Sequence, residues 1–166
     1  MTKADITAVN PVQRALRDAF GQFPTGVTVI TIPTRDGPMG FTANSFASVS
    51  MEPPLVLWSP ARAAMRYPFF AAAELYAIHV LGAEQFEICR RFVRGGTGFD
   101  GLAHEINEEG VPVIPGTLAR FDCRREMAHE AGDHLIIIGR VIRAITRPGA
   151  PLIFSQGAYG HFNPGL

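Results

Sequence analysis

The sequence predicts a mainly β, antiparallel fold that closes, or nearly closes, into a barrel with a few short helices at its edges. Most apolar residues beyond position 26 fall in short runs that are β-branched or alternating and are bounded by Gly and Pro. Helical periodicity is confined to three short stretches. Six or more short strands with edge helices favour a closed or nearly closed antiparallel barrel.

The composition indicates one globular domain. The chain has 166 residues, of which 47% are hydrophobic and 18% charged, which allows a sizeable core and argues against disorder. Residues 1–166 are therefore predicted to form a single domain, with residues 1–10 as a flexible N-terminal tail. Lys plus Arg and Asp plus Glu both number 15, so the charge gives no reason to expect a nucleic-acid partner.

The N-terminus contains no apolar run of the kind a signal peptide needs. No stretch approaches the roughly 20 apolar residues of a membrane span, so the sequence predicts a cytoplasmic protein with no membrane contact. Cys89 and Cys123 belong to no CxxC pair, and both are predicted to be buried thiols with no metal-binding role.

The first predicted element is a short helix. Asn10 is a favourable N-cap, Pro11 suits the first helical position, and Gln13 stands where a capping box places it. The apolar residues then recur at helical spacing: Val12, Ala15, Leu16, Ala19, Phe20 and Phe23. We expect the helix to lay this face on the core.

The strands are predicted over residues 27–32, 39–42, 55–58, 75–81, 118–127 and 135–145. Residues 35–38 form a turn signal, so the first two strands are expected to pair as a hairpin. The last strand is the longest and is apolar on both faces at its centre, as a buried strand would be. Helical stretches are predicted over residues 62–73, broken or kinked at Pro68, and over residues 83–94.

Residues 96–101 spell GxGxxG but lack the context of a dinucleotide-binding fingerprint. That fingerprint needs a strand before it and a helix start within it, whereas here a helical stretch precedes. The segment is predicted to be a flexible loop whose glycines let it fold over a ligand.

Residues 40–50 are rich in small hydroxyl and amide side chains and carry no charge. Such a segment offers backbone N–H groups and hydroxyls to a flat polar ligand. On composition alone, a serine-rich loop without a ligand remains the alternative.

His134 follows Asp133 at the start of the longest strand. Without a further ligand at suitable spacing we predict no metal site here, because strand geometry points His129 and Asp133 to one face and His134 to the other. An ordinary turn histidine remains the alternative to a binding role. His79, inside strand 75–81, is predicted to be a core or edge residue.

Several of these segments, taken in order, resemble the flavin reductase domain family, the reductase components of two-component flavin-dependent monooxygenases. They are residues 23–29 (Phe-Pro-Thr-Gly-Val-Thr-Val), 40–50, 53–57, 91–92, 132–134 (Gly-Asp-His), 151–154 and 157–159 (Gly-Ala-Tyr). Together they span residues 12–160 in the family's order.

The resemblance implies a split β-barrel homodimer with FMN or FAD at the subunit interface. It also implies NADH or NADPH as hydride donor and a separate monooxygenase that receives the reduced flavin. Hydride passes directly between the cofactors, so no catalytic side chain is assigned. The neutral net charge does not oppose self-association.

The family motif also implies which residues bind. The flavin-binding residues by this resemblance are Thr25, Gly26, Val27, Thr42, Ala43, Asn44, Ser45, Ser48, Val49, Ser50, Trp58 and Ser59. The nicotinamide-binding residues are Asp133, His134 and Tyr159. After Ser59 the family often has a further Ser or Thr for the flavin phosphate. This chain lacks it, and Arg62 or Arg91 is expected to contact the phosphate instead.

Two other functions fit the same residues. The first is an FMN-binding split-barrel electron carrier, or a flavin-binding protein without reductase turnover. The second is a small β-barrel binding protein with no cofactor, which would fail to bind added flavin.

Overall fold

The computed structural model describes residues 10–165, and strands dominate it. The helices are α1 (Pro11–Gly21), α2 (Tyr67–Ala72) and α3 (Phe86–Arg91), the last preceded by a 3-10 turn, Ala83–Gln85. The strands are β1 (Thr25–Gly26), β2 (Thr28–Thr34), β3 (Gly37–Ala43), β4 (Ala47–Met51), β5 (Pro54–Trp58), β6 (Leu75–Val80), β7 (Glu105–Ile106), β8 (Pro112–Val113), β9 (Ala119–Ala131), β10 (His134–Thr146), β11 (Leu152–Ser155) and β12 (Ala158–His161).

Seven strands form the main antiparallel sheet in the order β3-β2-β6-β9-β10-β5-β4. The predicted mainly antiparallel β-fold is confirmed, but the sheet is not closed into a barrel, because β3 and β4 remain as its two edges. A smaller sheet, β1-β11-β12, pairs Thr25 with Phe154. It brings the segment after α1 beside the C-terminal strands.

The hairpin between β2 and β3 is confirmed, with Arg35 and Asp36 at its turn. Pro33 does not end β2, which continues to Thr34 opposite Gly37. Strands β9 and β10 each have 13 residues and form the longest pairing in the sheet.

The core occupies both faces of β2 because its side chains alternate between them. One cluster contains Ile30, Ile32, Trp58, Phe70 and Ile137 with their neighbours. The other contains Val27, Val29, Cys89, Phe92 and Leu152 among others. Both cysteines are buried, as predicted, and neither forms a disulfide.

Helix α1 begins as predicted, because the Asn10 side chain accepts a hydrogen bond from the Val12 N–H at 3.0 Å. Its predicted packing on the core is wrong. The apolar face stays open, with exposed fractions of 72% for Val12, 50% for Leu16 and 68% for Phe20. The helical periodicity identifies an apolar face that favours burial, but it does not identify the element or molecule that buries this face. The remainder of the predicted N-terminal tail, residues 1–9, lies outside the described residues.

Pro68 begins a helix and does not kink one. It stands in the first turn of α2, where the missing N–H would have had no helical partner. The predicted helix over 62–73 is therefore shorter at its N-terminal end. None of the helices within residues 10–165 is both long and apolar enough to cross a bilayer.

His79 is a fully buried core residue, as predicted. Its Nδ1 lies 3.0 Å from the Val29 carbonyl, and its Nε2 lies 3.0 Å from the Ile114 nitrogen. The Ile114 N–H requires an acceptor, so Nε2 is unprotonated and Nδ1–H donates to Val29. Burial lowers the pKa of His79 to about 4 and keeps the ring neutral.

This histidine should make the stability depend on pH. The unfolded chain protonates His79 below about pH 6.5, whereas the folded chain does so only near pH 4. The free energy of unfolding therefore falls as pH is lowered between these values, by about 2 kcal/mol from pH 7 to pH 5. Urea unfolding should show this loss in the wild type and much less of it in His79→Gln. The exposed His129, changed to Gln, is the control and should keep the wild-type slope. Equal slopes in the wild type and His79→Gln would show that His79 does not cause this pH dependence.

Candidate functional site

A cleft of about 170 Å³ opens where β3 ends, between the loop after α3 and the C-terminal strands. Its lining residues are Val27, Thr42, Ala43, Asn44, Val93, Phe154 and Tyr159. The walls are mostly apolar, with polar groups concentrated at Thr42 and Asn44. This combination is typical of a site for a flat, partly polar small molecule.

A larger open groove of about 760 Å³ adjoins the cleft and shares Asn44 and Phe154 with it. The groove runs between α1 and the turn from β11 to β12, and Arg17, Thr25 and Gln156 are among its lining residues. The Gln156 N–H donates to the Gly21 carbonyl at 3.0 Å and fixes the end of α1 to that turn. Cleft and groove together provide an elongated surface.

Thr25 has a buried hydroxyl with no hydrogen-bond partner in the described part of the chain. A buried hydroxyl without a partner costs free energy. Because Thr25 lines the groove beside Asn44, a bound polar ligand could supply the missing partner.

Thr42 is held by the C-terminal end of α3. Its N–H donates to the Phe92 carbonyl at 3.1 Å, and its Oγ1 donates to the Cys89 carbonyl at 2.8 Å. Both of its donors are therefore used within the protein. Towards a ligand in the cleft, Thr42 offers only acceptor capacity.

Asn44 and Ser45 differ sharply although they are neighbours. The Ser45 Oγ accepts the Ser59 N–H at 2.9 Å and lies 3.3 Å from the Ser59 carbonyl. It joins the turn between β3 and β4 to the end of β5. The exposed side chain of Asn44 makes no hydrogen bond within residues 10–165, so its amide is available to a ligand.

Tyr159 forms the outer wall of the cleft. Its ring centroid lies 5.0 Å from that of Phe154 and 4.9 Å from that of Phe86. Burial raises the pKa of Tyr159 to about 12, and burial also raises the pKa of the Cys89 thiol. Both groups are neutral near pH 7, so this wall offers apolar contact and hydrogen bonding but no charge.

Of the remaining predicted flavin residues on β4 and in the segment from β1 to β2, only Val27 lines the cleft. Gly26 is exposed in β1, and Ser48 and Val49 are exposed on the edge strand β4. Ser50 lies on the same strand.

Trp58 is a core residue. Its side chain is 1% exposed and packs edge-on against Phe41 and Phe70. A Trp at the end of an apolar run can lie in the core or contact a ligand. The packing of β5 places this ring in the core.

A second group of predicted residues meets at the turn between β9 and β10. The Arg62 N–H donates to the Asp133 carbonyl at 2.9 Å, and the His134 Nδ1 lies 2.8 Å from the Asp133 carboxylate. That hydrogen bond lowers the pKa of Asp133. The Arg62 guanidinium pairs with Glu130 at 2.8 Å. The cleft lined by Tyr159 includes none of these residues, so the three predicted nicotinamide residues belong to two places.

Arg91 points to its own loop. Its Nη1 donates to the carbonyls of Gly98 and Asp100, at 3.1 Å and 2.7 Å. The GxGxxG segment thus follows a helix and continues as a loop, as predicted. No three His, Cys, Asp or Glu side chains of residues 10–165 are grouped as metal ligands would be.

Residues that the sequence did not single out also line the site, among them Val93 and Phe154 in the cleft and Arg17 in the groove. Phe154 lies within a segment that resembles the family, so its position could have been proposed. Arg17 stands on an amphipathic helix among other charged residues, and nothing in the sequence distinguishes it.

Comparison with known proteins identifies the class. A family model, the flavin reductase like domain, matches residues 20–163. The chain is 61% identical over 150 residues to the FMN reductase (NADH) SmoA of Agrobacterium fabrum, covering 90% of this chain and 86% of that protein. It is 44% identical to the reductase component of the flavin-dependent trigonelline monooxygenase of Acinetobacter baylyi, covering 94% of this chain and 51% of that protein. It therefore spans about half the length of that relative.

A solved structure has the same fold. The NADH:FAD oxidoreductase SgcE6 of Streptomyces globisporus, in complex with NAD and FAD fragments, superposes with a TM-score of 0.86 and 40% identity. The alignment covers 95% of this chain and 98% of that one. The open antiparallel sheet is thus the fold of a flavin reductase. The chain belongs to the flavin reductase like domain family.

Proposed function

We propose that this protein is an NADH-dependent flavin reductase that supplies reduced flavin to a separate monooxygenase. The observation that carries the proposal is the 61% identity, over 90% of the chain, to an FMN reductase that uses NADH. The relative named as a monooxygenase reductase component supports the separate partner. A cytoplasmic location is part of the proposal, because the NADH it consumes is a cytoplasmic metabolite. Cell fractionation that finds the protein elsewhere would contradict it.

The residues of the cleft and groove fit a flavin. The apolar side chain of Val27 and the flat rings of Phe154 and Tyr159 suit an isoalloxazine ring. The unpartnered hydroxyl of Thr25 and the free amide of Asn44 are polar groups that lack a protein partner in the described chain. These features match a ring system with an apolar face and a polar edge.

Flavin, when bound, supplies the chemistry by accepting a hydride from the nicotinamide. The protein binds and orients the rings and keeps water away. In this proposal, Asn44 contacts the polar edge of the flavin, and backbone groups from Ala43 and Ser45 surround the same edge. Ser48, Val49 and Ser50 bound it on the side of β4, and Gly26 on the side of β1. Fixed donors near the ring favour the charge that develops on reduction.

The flavin phosphate and the nicotinamide belong to the turn between β9 and β10. Arg62 is our candidate for the phosphate because it follows Ser59 and its ion pair with Glu130 is exposed, so exchanging it for a phosphate costs little. Arg91 is the second candidate, but its Nη1 already serves two loop carbonyls. Asp133 and His134 would contact the nicotinamide cofactor at this turn, and Tyr159 would contact it from the cleft.

Aerobic NADH oxidation tests the proposal directly. NADH and NADPH are supplied in turn with FMN, FAD and riboflavin, each in excess over the protein. Multiple turnovers with free flavin are expected, with NADH preferred, and Arg62→Gln should raise the KM for FMN but not for riboflavin, which has no phosphate. An electron carrier would bind flavin without turning over excess NADH, and a cofactor-free protein would not bind flavin.

Asn44 and Ser45 should respond differently to truncation. Asn44→Ala removes a contact to the ligand alone and should weaken FMN binding by about 0.5–1.5 kcal/mol with an unchanged Tm. Ser45→Ala leaves the Ser59 N–H without its acceptor and should lower the Tm as well. Fluorescence quenching of FMN gives the affinity, and thermal unfolding gives the stability. Unchanged FMN affinity in Asn44→Ala would remove this turn from the flavin site.

His134→Ala should raise the KM for NADH and leave the affinity for flavin nearly unchanged, because His134 contacts the nicotinamide and not the flavin. Loss of ring alignment would lower kcat as well. NADH is titrated at saturating flavin. The alternative turn role predicts a small loss of stability with wild-type kinetics, and that result would exclude His134 from the site.

The open apolar face of α1 supports a homodimer. Four large apolar side chains, Val12, Leu16, Phe20 and Phe23, are half or more exposed on one short segment. A contiguous apolar face of this kind is typical of an interaction surface. Phe20 and Phe23 also line the groove beside the cleft, so a second copy packed on α1 would stand next to the proposed flavin.

Light scattering at micromolar protein should therefore report a dimer. Leu16→Glu places a charge in the apolar face and should shift the protein towards monomer. Leu16 does not line the groove, so the change leaves the ligand-binding residues in place. The control is Arg14→Glu on the polar face of the same helix, which should remain dimeric. A monomeric, fully active wild type would contradict the proposal.

A further inference from the structure

Arg66 is a buried arginine without a carboxylate partner. The residue is 8% exposed, and none of the ion pairs formed by residues 10–165 includes it. Burial lowers the pKa of its guanidinium. Burying a charge without compensation is costly, so the contacts that replace water at this side chain indicate what it holds in place.

The guanidinium is bound by three backbone carbonyls from two segments. Its Nη1 donates to Gly40 and Phe92, both at 2.7 Å, and its Nη2 donates to Val93 at 3.1 Å. Phe92 directly follows α3, so its carbonyl belongs to the negative end of that helix, where a cation is favourable. The guanidinium carbon also lies 4.4 Å from the centroid of the Phe41 ring, an additional cation–π contact.

These carbonyls belong to the segments that form the cleft. Val93 and Thr42 both line the cleft. The Phe92 carbonyl that Arg66 binds also accepts the Thr42 N–H. Arg66 itself does not line the cleft. It therefore acts on the cleft through the relative position of β3 and the turn after α3.

We propose that Arg66 is a positioning residue for flavin binding, which fixes the position of Val93 relative to Thr42 in the lining of the cleft. This inference rests on the proposed function. It assigns to Arg66 no contact with either cofactor. Without the guanidinium, the carbonyls of Gly40, Phe92 and Val93 each lose one donor, the turn after α3 moves relative to β3, and the cleft no longer matches the ring.

The test compares Arg66→Met and Arg66→Lys in the full chain with Arg94→Met as control. Met keeps the apolar length without the donors, and Lys keeps the charge but cannot serve three carbonyls in the fixed geometry of Arg. Arg94 is exposed in the same turn. For each variant, the Kd for FMN is measured by fluorescence quenching at a temperature well below its Tm. The KM for NADH is measured at saturating flavin.

We expect Arg66→Met to raise the Kd for FMN by about tenfold or more, since small displacements at a binding site have large effects. Arg66→Lys should recover part of this loss. The KM for NADH should stay close to the wild-type value, as should both constants in Arg94→Met. If Arg66→Met does not fold, Arg66→Lys provides the same comparison.

A wild-type Kd for FMN in folded Arg66→Met and Arg66→Lys would overturn the proposal, even if the Tm falls, because that pattern shows a role in stability alone. Failure of the proposed function gives other results. A wild type that binds FMN without oxidising NADH refutes the reductase activity and leaves the Kd comparison valid. A wild type that binds no flavin refutes the flavin cleft and this inference with it.

Discussion

The site depends on how the edge strand β3 of the main sheet is covered. An edge strand presents N–H groups that need partners, and here the turn after α3 provides them. The Gly40 N–H donates to the Gly96 carbonyl and the Thr42 N–H to the Phe92 carbonyl, both at 3.1 Å. The approach is so close that a Cβ at Gly40 would overlap the Phe92 ring. The edge is therefore covered by a turn instead of an eighth strand, and the cleft lies at the end of that contact.

Most of the main sheet could be predicted from the sequence because its strands are long enough to show a pattern. The apolar runs predicted β2, β5, β6, β9 and β10, and the turn signal at Arg35 and Asp36 predicted the β2–β3 hairpin. Strands of two to four residues, such as β1, β11 and β12, carry too little periodicity to be recognised. The face of α1 was recognised, but hydrophobic spacing is the same whether a core or a second molecule covers it.

The segments that form the candidate site could be predicted from the sequence, but the role of each residue within them could not. The uncharged run around Asn44 marks the right end of β3. Asn44 and Ser45 look equivalent in the sequence, yet Ser45 binds Ser59 within the protein and Asn44 does not. Likewise, nothing in the sequence distinguishes Arg91 from Arg66. Only the fold shows that one serves a surface loop and the other is buried against carbonyls beside the cleft.

In the proposed function, the flavin ring binds in the cleft at the end of β3. The most direct measurement is a crystal structure of the protein with FMN bound. We expect the isoalloxazine ring to lie against Val27, Phe154 and Tyr159, with its polar edge at Asn44. A ring bound at a place that contacts none of these four residues would exclude the cleft as the flavin site.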